Sequence, residues 1–147
     1  MEKPSWEEFK ALYLEAGWFD HDRTKTLRAM RHLWQSLPPA DFNSLPRPLV
    51  IFAPSPVILG ELYPWYQLAS GEGENGVFIY LSPELEQKPQ AEVDNTVAHE
   101  FAHAILHPYS TSMSHDLIIE READTLIESW GFKPVSTKYP DDPGRTP

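Results

Sequence analysis

The chain has 147 residues, enough for one domain with a proper core and too few for two independent domains. Its hydrophobic fraction of 41% and aromatic fraction of 12% exclude the composition of a disordered chain. The formal net charge of -10 argues against direct nucleic-acid binding, because phosphate contacts need clustered Lys and Arg. The chain contains no cysteine, so His and carboxylate side chains are the strong metal ligands that remain.

The hydropathy pattern predicts a cytoplasmic protein without a membrane association. No apolar run approaches the roughly 20 residues that cross a bilayer, and the first residues lack the basic and apolar regions of a signal peptide. Basic residues do gather at Arg23, Lys25, Arg28 and Arg31, but acidic and apolar residues are interleaved with them. This pattern favours a solvated helix face over a phosphate site.

Residues 1–37 predict a helical hairpin. Ser5 and Glu8 have the spacing of a capping box, and apolar residues then recur at helical spacing until Gly17. A second apolar stripe ends before Pro38, whose ring cannot continue a helix. Residues 38–48, rich in Pro, Asn, Asp and Ser, predict a connection to the next part of the chain.

Short apolar runs in the middle of the chain predict a small sheet of about three strands, mostly antiparallel. They cover residues 49–52, 57–59 and 76–81, and residues 62–68 form a further aromatic-rich run. The Gly-rich residues 71–76 predict a turn before the last strand. A nucleotide-binding loop is not expected there, because no helix start follows.

The last part of the chain predicts two helices. Residues 90–106 are apolar over much of the helix circumference, which is typical of a buried helix. A final helix is expected over about residues 115–130, with Gly131 just past its C-cap. The expected fold class is therefore α+β, with one domain over residues 1–132. Residues 133–147 contain four prolines and predict a flexible tail.

The segment His99-Glu100-Phe101-Ala102-His103 carries the strongest chemical signal. Its two histidines are four residues apart, so both imidazoles lie on one helix face and could share one ion. Glu100 lies beside that face, where its carboxylate could take a proton from a zinc-bound water and deliver it to a leaving amine. Polar residues on a buried helix need partners that offset their desolvation, which disfavours an ordinary structural role.

A catalytic zinc needs a third protein ligand and one open position for water. Glu120 and Asp124 share one face of the last helix, so Glu120 could bind the ion while Asp124 accepts the free N–H of a ligand histidine. Glu122 is rotated away from that face. His107 continues the four-residue spacing, but about 12 Å of helix axis separates it from His99, too far for a shared ion.

These residues resemble the gluzincin peptidases, in which a glutamate on a second helix is the third zinc ligand and an Asp four residues later orients a histidine. The run HEFAHAILH at residues 99–107, followed by EREAD at residues 120–124, is most similar to the ImmA/IrrE family and to very small gluzincins. The resemblance covers about residues 77–130. It implies a zincin-like fold, one catalytic zinc ion, an edge strand at residues 79–81 that aligns a peptide, and a regulatory protein substrate such as a repressor or antitoxin.

The sequence therefore predicts a zinc metallopeptidase acting on a peptide or protein added along the edge strand. Two alternatives stay open: a regulatory protein with a structural zinc, which would not need Glu100 beside the metal, and a zinc hydrolase of a non-peptide bond. Tyr109 and His115 are the nearest candidates in sequence for a group that stabilises the oxyanion. The Pro-rich tail could lie in the cleft and inhibit, as the resemblance to very small gluzincins allows.

Overall fold

The computed structural model describes residues 3–15, 18–20, 22–45, 49–53, 77–106 and 117–135. In these ranges the elements are α1 (Trp6–Lys10), a π-helical turn (Ala11–Glu15), β1 (Trp18–Phe19), α2 (Thr24–Ser36), α3 (Pro39–Asn43), β2 (Leu49–Ala53), β3 (Val77–Tyr80), a 3-10 turn (Pro83–Gln87), α4 (Gln90–Leu106) and α5 (Leu117–Ser129). Among the described helices, none is both long and apolar enough to cross a membrane.

The N-terminal part contains the two expected helices but is not a simple hairpin. The capping box is confirmed: Ser5 Oγ accepts a hydrogen bond from the Glu8 backbone at 3.2 Å, and Glu8 Oε1 accepts one from the Ser5 backbone at 3.0 Å. The rings of Trp6 and Trp34 join α1 to α2, with centroids 5.8 Å apart. Between these helices the chain forms β1, which enters the sheet. A strand of two residues is too short to show alternation in the sequence.

The described strands form a three-stranded sheet in the order β1-β2-β3, and both pairings are parallel. The expectation of a mostly antiparallel sheet was therefore wrong for these strands. A parallel pair needs a long crossover connection, and α2 with α3 supplies one between β1 and β2. The runs predicted at residues 57–59 and 62–68, and the turn at residues 71–76, lie outside the described residues.

The central helix is α4, which begins and ends where the apolar pattern predicts. It packs against α2 on one side, α5 on another and β3 of the sheet. Its Phe101 is fully buried and stacks near Phe9, with ring centroids 6.5 Å apart, and meets Tyr13 edge-on at 6.4 Å. This aromatic core fixes the rotation of α4, and with it the face that carries the two histidines.

A buried arginine ties the end of the sheet to the beginning of α2. The Arg23 guanidinium, 1% exposed, donates to the backbone carbonyls of Leu81 at 2.8 Å and Ser82 at 2.7 Å. The Glu86 carboxylate lies beside it and accepts the Thr26 backbone N–H at 2.9 Å, within the first turn of α2. These bonds satisfy both the buried cation and free N–H groups at the helix start.

The last helix, α5, ends in a Schellman motif. The N–H of Gly131 donates to the carbonyl of Glu128, and the N–H of Phe132 to that of Ile127, each at 3.0 Å. Gly131 has a φ of 98°, so the predicted glycine past the C-cap is confirmed. The chain then turns back, and Val135 is buried. Residues 136–147, which make up most of the predicted flexible tail, lie outside the described residues.

Candidate metal centre

Two neighbouring helices bring three of the predicted ligand residues together. His99 and His103 lie on α4, and Glu120 lies on α5. The Nε2 atom of His99 lies 2.7 Å from Oε2 of Glu120 and 3.0 Å from Nε2 of His103. The Nε2 atom of His103 lies 3.3 Å from Oε1 of Glu120. One ligand atom from each of the three residues therefore converges on one small volume.

These separations suit a single metal ion. Nitrogen and oxygen ligands about 2.0–2.2 Å from a tetrahedral ion lie about 3.3–3.6 Å from one another. The distance of 3.3 Å lies in this range, and those of 2.7 and 3.0 Å are shorter, as expected of groups that hydrogen-bond directly to one another. His99, His103 and Glu120 could therefore hold a metal.

The three side chains differ in solvent exposure, and the difference indicates which side of the site faces solvent. His99 is 1% exposed, Glu120 is 13% exposed and His103 is 20% exposed. The two imidazole rings are nearly perpendicular, at 86°, with centroids 4.5 Å apart. His99 therefore forms the inner wall of the site. Water or a substrate would approach from the side of His103 and Glu120.

Asp124 lies behind His99, as the four-residue spacing from Glu120 predicts. Its Oδ1 atom lies 2.9 Å from Nδ1 of His99, and the Asp124 residue is 4% exposed. When the Nδ1–H of His99 donates to this carboxylate, Nε2 is left to face the ion. Asp124 thus selects which nitrogen of His99 is available as a ligand.

The pKa values follow from this arrangement. Burial alone acts to lower the pKa of His99, but hydrogen bonds to Asp124 and Glu120 outweigh it and raise the pKa to about 9. Burial acts to raise the pKa of Glu120, but hydrogen bonds from His103 and His99 lower it to about 2. In the metal-free protein at neutral pH, His99 is therefore an imidazolium between carboxylates. A metal ion must displace that proton.

Glu100 is the predicted general base, and it follows His99 on α4. Burial raises the pKa of its carboxyl group, while electrostatic interactions with His99 and His103 act in the opposite direction. Glu100 therefore lies within electrostatic range of the cluster. A carboxylate whose pKa is raised is a stronger base than an ordinary one, which suits a group that must accept a proton.

The sequence missed one group that contacts the site. The backbone N–H of Val135 donates to Oδ1 of Asp124 at 2.8 Å. A backbone donor leaves no signature in the residue type, and the one available signal was Gly131, predicted just past the C-cap of the last helix. Glu122 is exposed, in agreement with its predicted position away from the ligand face.

His107, rejected as a ligand on the helix geometry, lies outside the described residues, as do Tyr109 and His115. Comparisons with protein-family models, with curated proteins and with solved structures found no match. The resemblance to gluzincins and to the ImmA/IrrE family, and the zincin-like fold that it implies, therefore stay predictions.

Proposed function

We propose that this protein is a zinc-dependent metallopeptidase, with one catalytic Zn²⁺ held by His99, His103 and Glu120. The convergence of these ligand atoms within 4.8 Å of one another is the observation that supports the proposal best. Two imidazoles and a carboxylate are a typical catalytic zinc set, whereas Ca²⁺ and Mg²⁺ prefer oxygen ligands throughout. Three protein ligands leave a fourth position for water or substrate.

In the proposed reaction, the zinc ion and the side chains of the protein have separate roles. A zinc ion held by these residues would acidify the attacking water and polarise the substrate carbonyl. Glu100 would take a proton from the water and pass it to the leaving amine, a role that its raised pKa suits. Asp124 holds His99 in the orientation that directs Nε2 to the ligand position, 2.7 Å from Glu120.

The proposed substrate is a peptide or a regulatory protein in an extended conformation. β3 is an outer strand of the described sheet, and α4 packs against it. Backbone groups on an outer strand can pair with an added peptide, which would bring its scissile bond to the α4 face that carries the histidines. We propose hydrolysis of one peptide bond in such a segment.

Two other functions remain alternatives to this proposal. A regulatory protein with a structural zinc would need a closed site, usually with four protein ligands, and would not need a carboxyl such as Glu100 beside the ion. Within the described ranges three ligand residues converge, and His103 is 20% exposed, which favours an open site. A zinc hydrolase of a non-peptide bond would use the same residues, so substrate assays must separate it from a peptidase.

Metal analysis combined with a proteolysis screen tests the proposal. Wild type and Glu100→Gln should each contain about one equivalent of zinc, and His103→Ala should contain none. Peptide hydrolysis should be lost in both variants. Glu122→Gln is a matched control, because this exposed residue lies two positions from Glu120 and should retain both zinc and activity.

Each outcome bears on a separate part of the proposal. Absence of zinc from folded, zinc-supplied wild type would overturn the metal site. Full activity of Glu100→Gln would reject Glu100 as the general base while leaving the ligands in place. Turnover of esters or amides other than peptides, with no peptide cleaved, would favour the non-peptide hydrolase.

A further inference from the structure

The five residues that follow α5, Gly131 to Val135, return along α4 toward the metal centre, and we call residues 131–135 the return segment. The Phe132 ring packs on His32 of α2, with centroids 4.7 Å apart. The backbone N–H of Lys133 donates to Oδ1 of Asn95 on α4 at 3.1 Å. These contacts attach the return segment to α2 and to α4, the helix that carries His99 and His103.

The last described bond of this segment reaches the site itself. Oδ1 of Asp124 lies 2.8 Å from the Val135 backbone nitrogen and 2.9 Å from Nδ1 of His99. One carboxylate oxygen therefore receives two donors, one from the backbone and one from the proposed ligand. Val135 is 6% exposed and Asp124 is 4% exposed, so water has little access to either group.

A carboxylate can rotate about its Cβ–Cγ bond, and a donor on an imidazole ring that itself rotates restrains that rotation less than a donor on the backbone. The Val135 N–H restrains it, because its position is set by the Schellman turn and by the packing of the Phe132 ring on His32. The orientation of His99 then depends on a chain that runs from the backbone through Asp124 to the ring. Partners of this kind set metal affinity through the ligands that they orient.

We infer that Val135 is a positioning residue of the metal centre, whose backbone N–H fixes the Asp124 carboxylate and through it the His99 ring. This inference rests on the proposed metal site but not on peptide hydrolysis. It extends the functional unit beyond the two helices that carry the ligands. A chain that ended at residue 132, the limit of the domain predicted from sequence, would lack this donor.

An ester analogue of the backbone tests the inference with little steric change. Replacing Val135 with its α-hydroxy acid, by nonsense suppression in the full chain, removes the N–H and keeps the side chain. The same replacement at Lys133 is the matched control, because it removes the neighbouring bond to Asn95, outside the proposed site. Val135→Ala, which keeps the N–H, controls for loss of side-chain packing.

Zinc affinity, measured by competition with a chelator, should fall by roughly 10-fold with the ester at Val135. It should stay near the wild-type value with the ester at Lys133, and it should fall less with Val135→Ala than with the ester at Val135. The Co²⁺-loaded protein gives a second signal, since the ester at Val135 should change the visible ligand-field spectrum and the ester at Lys133 should not.

A double-mutant cycle separates positioning from simple destabilisation. In an Asp124→Ala background the ester at Val135 should cause no further loss of zinc affinity, because the group through which it acts is gone. Persistence of the loss in that background would overturn the inference, and so would equal losses from the esters at Val135 and Lys133.

A readout without metal keeps the inference independent of the proposed function. In the metal-free protein, the NMR signal of the His99 Nδ1–H should be protected from solvent exchange in wild type and with the ester at Lys133. It should lose protection with the ester at Val135. If folded wild type bound no zinc, the proposed function would fail, and this signal would still decide whether Val135 positions His99. Unchanged protection with the ester at Val135 would reject the inference alone.

Discussion

His99 and Asp124 come from different helices, yet Nδ1 of the histidine lies 2.9 Å from Oδ1 of the aspartate, and both side chains are buried. The other ring nitrogen of His99 lies 2.7 Å from Glu120. Nδ1 thus holds the orientation of the imidazole ring, and Nε2 is the atom that would bind the proposed ion. The pair joins α4 to α5 at the metal centre, so the packing of these helices and the ligand geometry depend on each other.

Replacing Asp124 with alanine should weaken zinc binding by about 10- to 100-fold, because an outer partner of a ligand histidine is lost. It should also lower the free energy of unfolding by about 1–3 kcal/mol for each buried donor left unsatisfied, on His99 and on Val135. Chelator competition and denaturant unfolding measure the two effects. Glu122→Ala is the control and should change neither. A normal zinc affinity in folded Asp124→Ala would contradict the role of this pair.

The stability of the metal-free protein should depend on pH through the same cluster. The folded pKa of His99, about 9, lies above its ordinary 6.5, so its contribution is complete below pH 6.5 and is lost as the pH rises through 9. The pKa of Glu120 is lowered from 4.5 to about 2, so its contribution is present above pH 4.5 and is lost as the pH falls toward 2. Stability from these two groups should therefore be greatest between about pH 4.5 and 6.5.

Zinc should offset the loss of stability at alkaline pH. The ion competes with the proton on His99, so it binds more tightly as the pH rises toward 9. Melting temperatures from pH 4 to 9.5, with a chelator and with excess zinc, measure both trends. The stabilisation by zinc should grow steadily between pH 6 and 9. A constant difference between the two curves over that range would show that zinc binding displaces no proton.

The parts of the fold that could be predicted are those set by local pattern. The bounds of α4, the capping box of Ser5 and the glycine at position 131 each depend on neighbouring residues along the chain, and all were found. Helical spacing also predicted that His99 and His103 share a face. Their approach to Glu120 depended on α4 packing against α5, which the spacing within each helix could only suggest.

The parts that were missed depend on contacts between distant segments or on backbone groups. Whether β2 and β3 pair in parallel depends on the route of the connecting chain, and the residue pattern of a short buried strand does not encode it. α3 was predicted as a loop, although Pro39 at its first position is a known helix start. The donor on Val135 is a backbone N–H that every residue except proline carries, so no residue type could reveal it.

Replacing Gly131 with alanine should destabilise the protein by about 1–2 kcal/mol, because a residue with a Cβ is strained at a φ of 98°. Among the described residues other than its two chain neighbours, no atom lies within 4 Å of the position that the new Cβ would take, so the cost comes from the backbone and not from a clash. Zinc affinity should fall too, because Gly131 directs the chain toward Asp124. Denaturant unfolding and chelator competition on the same samples test this linkage.

Gly131→Asn is the matched control, since asparagine tolerates positive φ better than alanine. It should lose less stability and less zinc affinity than Gly131→Ala. If the alanine variant lost stability but kept the wild-type zinc affinity, the turn would serve the fold alone.

Replacing Glu120 with glutamine tests the third ligand while preserving its size. Zinc affinity should fall more than the roughly 10- to 100-fold expected for loss of an outer partner, because a charged ligand of the ion itself is removed. In the metal-free protein the pKa of His99 should fall below about 9, since one of its two carboxylate partners is gone. NMR titration of the His99 ring and chelator competition measure these changes, with Glu122→Gln as the control. A variant that lowered the His99 pKa but bound zinc normally would show that Glu120 is a hydrogen-bond partner of His99 and not a ligand.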